Sequence, residues 1–140
     1  MLNNQTILNS EEETKNFSKA FAATLKPNNI ILLNGDLGVG KTFFCREIIK
    51  HFCGENTSII SPTFNLLQTY KTPHFTIYHY DLYRLKSPKE IYELGLEEAL
   101  GGNLTLIEWS EIINHLLPTP LIEVNLKLLD DNKRLCNIYL

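Results

Sequence analysis

The chain has 140 residues, 44% of them hydrophobic, which is enough for one compact core and leaves little for a second domain. Its 13 basic and 16 acidic residues give a net charge of −3, so it lacks the strong positive field of a dedicated nucleic-acid binder, and any RNA connection is expected to be indirect. The three cysteines, Cys45, Cys53 and Cys136, are an odd number without a Cys-x-x-Cys pair, which argues against a disulfide framework or a zinc site and for reduced thiols in a core.

At the start of the chain, Glu11, Glu12 and Glu13 fall where a secretory leader would need an apolar run, and no apolar stretch approaches membrane-spanning length; a soluble cytoplasmic protein is expected. Ser10 and Glu13 have the spacing of a capping box, and Phe17, Phe21 and Leu25 recur every four residues, which predicts a helix from Glu11 to Leu25. Pro27, Asn28 and Asn29 interrupt the chain before the unbroken apolar run Ile30 to Leu33, the pattern of a strand covered on both faces. That strand feeds into Asn34, Gly35 and a glycine-rich loop. Beyond the loop, Phe44, Ile48 and Phe52 form the buried stripe of a second helix, with Arg46, Glu47 and Lys50 available for its wet side.

Further along, Asn65 to Tyr70 and Phe75 to Tyr80 are β-prone runs around Pro73 and predict an antiparallel hairpin. Ser87 and Pro88 open a short helix through Ile91, Leu94 and Leu96, with Gly95 as a possible break and Gly101 and Gly102 as its close. Leu104, Leu106 and Ile107 make a buried strand whose far end carries Glu108 and Trp109, with Ser110 placed to cap a short helix. Ile122, Val124, Leu126 and Leu128 alternate with polar residues, and Asp130 to Lys133 turn the chain into Arg134 to Leu140, a C-terminal hairpin. The pattern reads as one α/β domain over residues 1–140.

Gly35, Asp36, Leu37, Gly38, Val39, Gly40, Lys41 and Thr42 fit the complete G-x-x-x-x-G-K-[ST] pattern in the strand-to-helix context that the pattern requires. Glycines let the backbone curl until successive N–H groups face phosphate oxygens, and the positive end of the following helix adds to the attraction. In this arrangement the residues from Asp36 to Phe43 hold the nucleotide, Lys41 reaches the β- and γ-phosphates, and the Thr42 hydroxyl takes one position on magnesium.

Such a site needs an acid at a neighbouring strand end to orient magnesium and a group to position the attacking water. Asp81 and Glu108 each end an apolar run and are candidates for both roles; the competing readings are that Asp81 begins a turn and Glu108 merely precedes a helix. Thr63, in Ser61-Pro62-Thr63, lies where P-loop proteins place a γ-phosphate sensor, or makes an ordinary hydroxyl turn. Trp109 either covers the nucleotide or a partner surface, or packs in the core. Arg84 is a candidate for phosphate charge or for a surface ion pair. His79 is read as packing, having no nucleophile paired with it, and His51, His74 and His115 show no metal-ligand spacing.

The GTPase motifs D-x-x-G and N-K-x-D are not matched, since Leu82, Tyr83 and Arg84 follow Asp81, and Arg134 and Leu135 follow Asn132-Lys133. A small-molecule kinase shares the size and loop but usually adds several lid arginines, and this chain has Arg46, Arg84 and Arg134 only. A nucleotide-gated binding module with negligible turnover fits the same residues.

Beyond the loop segment Leu33 to Thr42, the chain carries in order Ser61-Pro62-Thr63-Phe64, His79-Tyr80-Asp81-Leu82-Tyr83-Arg84-Leu85, Glu93-Leu94-Gly95-Leu96-Glu97-Glu98 and Ile107-Glu108-Trp109. In these segments it resembles the bacterial TsaE proteins, small P-loop ATPases of the tRNA threonylcarbamoyladenosine pathway. Ser110, where the family often has proline, and Thr69, where it has an acid, are departures that touch no phosphate-binding position. The resemblance implies a P-loop NTPase with a mixed central sheet flanked by helices, binding ATP or ADP with Mg2+. It places Lys41 and Thr42 at the phosphates and metal, Asp81 in the magnesium shell, Glu108 and Trp109 near the nucleotide, and Thr63 as the switch residue. It further implies partnership with TsaD and TsaB, with TsaD modifying the tRNA adenosine beside the anticodon and this chain supplying ATP-driven cycling.

Overall fold

The computed structural model describes residues 3–130 and 132–140. Met1 and Leu2, and Asp131 of the expected C-terminal turn, lie outside the described residues. Seven strands form one mixed sheet: β1 (Asn3–Leu8), β2 (Ile30–Asn34), β3 (Leu67–Lys71), β4 (Thr76–Asp81), β5 (Leu104–Glu108), β6 (Ile122–Leu128) and β7 (Arg134–Tyr139). Their spatial order is β1-β7-β6-β2-β5-β4-β3. The centre is parallel, β2 pairing with β5 and β6 and β4 pairing with β5, whereas β3–β4, β6–β7 and β1–β7 are antiparallel.

Residues of β2 alternate between two cores, which explains its unbroken apolar run. Ile31 and Leu33 pack with Phe44, Cys45, Ile48 and Ile49 of helix α2 (Lys41–Cys53) and with Phe21 and Ala22 of helix α1 (Glu11–Ala22). Ile30 and Leu32 face the other way, toward Ile91 of α3 (Glu90–Glu93) and Leu96 and Ala99 of α4 (Leu96–Ala99). Each such aliphatic side chain, fully removed from water, contributes roughly 1.5–3 kcal/mol, so the central strand is held from both sides.

Half of the expected capping box forms, Ser10 Oγ accepting from the Glu13 amide at 3.1 Å, while the Glu13 carboxylate reaches one residue further back and accepts from the amide of Asn9, also at 3.1 Å. The helix stops at Ala22, short of the expected Leu25, because Thr24 and Leu25 donate to the carbonyls of Phe21 and Ala22 in a tightened last turn. Gly95 divides the region after Pro88 into α3 and α4, adopting φ 74° between them. Glu47, expected on the wet face of α2, is buried instead, lying 3.8 Å from the ammonium groups of both Lys19 and Lys50. The edge strand β1 has no counterpart in the sequence reading; its pairing is wholly with β7, at the other end of the chain. No helix among the described residues is long and apolar enough to cross a membrane.

Candidate functional site

Strand β2 ends at Asn34, and the chain curls through Gly35 to Gly40 before α2 begins. A Cβ on Gly35 would stand 2.6 Å from the Leu126 carbonyl oxygen and 2.8 Å from Val39 Cγ1, so the loop's first turn admits no side chain. Gly38 and Gly40 take positive φ of 80° and 111°, and nothing lies within 4 Å of the space a Gly38 Cβ would fill. The first turn of α2 contains no acidic residue of its own, so the positive end of its dipole faces the loop.

Parallel register brings the acids to this edge. Leu33 pairs with Glu108 across β2 and β5, and Asp81 pairs with Glu108 across β4 and β5, so both carboxylates emerge at the carboxyl ends of strands beside Gly35. The Thr42 hydroxyl donates to Glu108 Oε1 at 2.8 Å, and the Thr63 hydroxyl donates to Asp81 Oδ2 at 3.3 Å while sharing a 2.8 Å bond with the Ser61 hydroxyl. Thr63 is held there by a doubled-back loop in which the Leu66 amide donates to the Pro62 carbonyl and the Leu66 carbonyl accepts from the Asp81 amide.

Lys41 is only 5% exposed, its ammonium donating to the Gly35 carbonyl at 2.5 Å and lying 3.4 Å from the centre of the Trp109 ring. Burial lowers its pKa, while Glu108, Glu111, Asp81 and Asp36 pull the other way. A partly dehydrated cation beside a glycine-rich turn at a helix N-terminus suits a polyanion, and the hydroxyl and carboxylate oxygens of Thr42, Asp81 and Glu108 suit a hard divalent cation such as magnesium. Trp109 itself has φ 57°, a left-handed conformation that costs a bulky residue about 1–2 kcal/mol, and it holds the indole across Lys41 and edge-on to Tyr83 at 4.8 Å.

The resulting cleft, about 280 Å³, is lined by Leu37, Gly38, Gly40, Lys41, Thr42, Phe43, Thr63, Asp81, Tyr83, Glu108 and Trp109. Of the residues singled out in the sequence, Asp36 and Val39 do not line it: the Asp36 carbonyl closes the loop by accepting from the Val39 amide at 3.2 Å, and Val39 is buried under the loop. Arg84 does not enter the cleft either; its guanidinium stacks 4.7 Å from the Phe64 ring. Ser110 caps nothing, because Trp109 occupies the cap position of the following 3-10 turn and the buried Ser110 hydroxyl has no partner among the described residues.

Three residues of the site escaped the sequence reading. Tyr83 lines the cleft. Arg134 of β7 donates from Nε to the Val39 carbonyl at 2.6 Å and closes a second cavity of about 130 Å³ with Glu11, Thr14, Gly40 and Phe43. His79, read as packing, is fully buried but has Nε2 2.7 Å from Glu108 Oε2. The alternation His79-Tyr80-Asp81 on one strand already put His79 on the face of Asp81, the available signal for its place at the site.

A phosphate-type loop between the central strand and a helix, with two acids at the ends of adjacent parallel strands, defines an α/β protein of the P-loop class. The family model described as threonylcarbamoyl adenosine biosynthesis protein TsaE matches residues 8–136. A tRNA threonylcarbamoyladenosine biosynthesis protein TsaE from Rickettsia bellii is 94% identical over 138 residues, covering 99% of this chain and 96% of that protein. The Bacillus subtilis protein of the same description is 36% identical over 124 residues, covering 88% and 77%. The crystal structure of Bacillus subtilis YdiB superposes with a TM-score of 0.77 at 27% identity, covering 98% of this chain and 84% of that one. The chain belongs to the TsaE family, and so to tRNA threonylcarbamoyladenosine biosynthesis.

Proposed function

We propose that this chain is the magnesium-dependent ATPase of that pathway, a cytoplasmic protein that binds ATP on the loop from Asp36 to Phe43 and whose hydrolysis drives the cycle of a TsaD–TsaB complex. The observation that carries the reading is the joining of Lys41, Thr42, Asp81 and Glu108 at one edge of the sheet, next to a glycine-rich loop in which Gly38 faces open space. Magnesium, when bound, would neutralise phosphate charge, and Thr42, Asp81 and Glu108 are the residues to hold it. Lys41 exchanges the Gly35 carbonyl for phosphate oxygens, and Trp109 covers the exchange from solvent. The nucleoside end extends past Gly40 and Phe43, the two residues common to both cavities, toward Glu11, Thr14 and Arg134.

Thr63 is the sensor in this account. Its hydroxyl already touches Asp81, so a γ-phosphate beside Asp81 changes the partner of Thr63 and with it the order of the loop carrying Phe64, which is 79% exposed. That change creates or releases a surface for the protein partners, and hydrolysis resets it. The charge of −3 agrees with action on protein partners rather than directly on tRNA. Against a kinase stands the absence of any arginine from the lining of the cleft, Arg84 lying over Phe64 and Arg134 bonding the Val39 carbonyl beside the second cavity. The test is Glu108→Gln: it should retain ATP while slowing hydrolysis by about 100-fold or more. Glu108 also positions the attacking water in this reading, so unchanged turnover would move that role to another residue, Asp81 first.

A further inference from the structure

We propose that His79 is a positioning residue that fixes the carboxylate of Glu108, so that one predetermined oxygen of Glu108 faces Thr42 and the cleft. The catalytic consequence rests on the ATPase reading above; the geometric claim stands apart from it. Glu108 is 2% exposed and accepts from two elements at once, Oε1 from the Thr42 hydroxyl of α2 and Oε2 from His79 of β4. A carboxylate at this site can only accept, so the imidazole donates from Nε2. Its other nitrogen, Nδ1, is buried without a partner among the described residues.

That orphan nitrogen separates positioning from packing. An imidazole used as filler in a dry core would leave a polar atom unsatisfied at a desolvation cost, where an aliphatic side chain of similar size would not. The charge-assisted bond to Glu108 offsets that cost and explains why a ring with a donor stands there. The register supplies the reach: His79 pairs with Leu106 across β4 and β5, which makes Glu108 its diagonal neighbour on the same face. Buried Cys45 lies beside the pair, its sulfur, a His79 nitrogen and a Glu108 oxygen all within 4.8 Å of one another. Freed from His79, the carboxylate would rotate about its terminal bond, and the oxygen presented to Thr42 would no longer be fixed.

Two readouts on this chain test the role. In the phosphate-release assay with MgATP and the TsaD and TsaB proteins, His79→Leu is expected to lower kcat at least tenfold with KM for ATP unchanged within about twofold. His79→Gln, whose amide nitrogen sits near the Nε2 position, should restore most of that loss, and His79→Leu should add nothing to Glu108→Gln. A kcat loss that glutamine fails to rescue, or that persists in full in the Glu108→Gln background, would overturn the positioning role. Imidazole nitrogen NMR of the nucleotide-free protein supplies the second readout: His79 should carry its proton on Nε2, with a signature that shifts in Glu108→Gln. An unshifted signature overturns the contact even if the wild-type chain hydrolyses no ATP, a result that would instead count against the ATPase reading.

Discussion

Trp109 offers a test in which backbone and side chain oppose each other. Replacing it by alanine and, separately, by glycine removes the indole in both cases, with its edge contact to Tyr83 and its cover over Lys41, worth together about 1–3 kcal/mol. The two variants then differ only in how they tolerate φ 57° at residue 109. In ordinary helix or strand backbone glycine is worse than alanine by about 0.5–1 kcal/mol, but in the left-handed region alanine keeps a strain of about 1–2 kcal/mol that glycine lacks. The glycine variant should therefore be the more stable by about 1 kcal/mol, a difference of about 3–5 °C in Tm for a chain of this size. Thermal unfolding followed by far-UV circular dichroism measures it, since both variants lack the sole tryptophan. An alanine variant equal to or more stable than the glycine variant would refute the claim that the turn after Glu108 is strained.

Gly35→Ala should destabilise the fold by about 2–3 kcal/mol in urea unfolding, because its Cβ meets the Leu126 carbonyl oxygen and Val39 at under 3 Å; wild-type stability would mean the first turn of the loop is looser than described. Burial pushes the Cys136 thiol from 9.0 up to about 12, so between those values the folded chain keeps a proton that the unfolded chain has lost. Stability should fall as pH rises through that window, and Cys136→Ala should flatten the decline by about 1 kcal/mol per pH unit; parallel curves for the two proteins would contradict the assignment. Thr63→Ala removes the contact with Asp81 and should lower partner-stimulated turnover and ATP-dependent complex formation about tenfold while costing no more than about 1.5 kcal/mol of stability. Unchanged turnover would remove Thr63 from the switch.

What the sequence made legible is what it encodes locally. The loop from Gly35 to Thr42 is contiguous, the Ser10–Glu13 cap spans one turn, and the run Ile30 to Leu33 declares a doubly covered strand by itself. Asp81 and Glu108 were visible as strand ends, but their adjacency depends on β4 and β5 pairing in parallel register across a long crossover. The bonds His79 to Glu108, Arg134 to Val39 and Lys41 over Trp109 escaped for the same reason, each joining separate elements. Strand β1 went unseen because Asn3, Asn4 and Gln5 give no apolar alternation, and its place follows from pairing with β7. The left-handed turn at Trp109 has no glycine to announce it.

The proposed activity is hydrolysis of ATP on this loop in response to TsaD and TsaB. Phosphate release from MgATP, measured as purified TsaD and TsaB are titrated against the chain, should rise with the partners and vanish in Lys41→Ala. ATP binding without any such stimulation would contradict it and leave the chain a nucleotide-gated module.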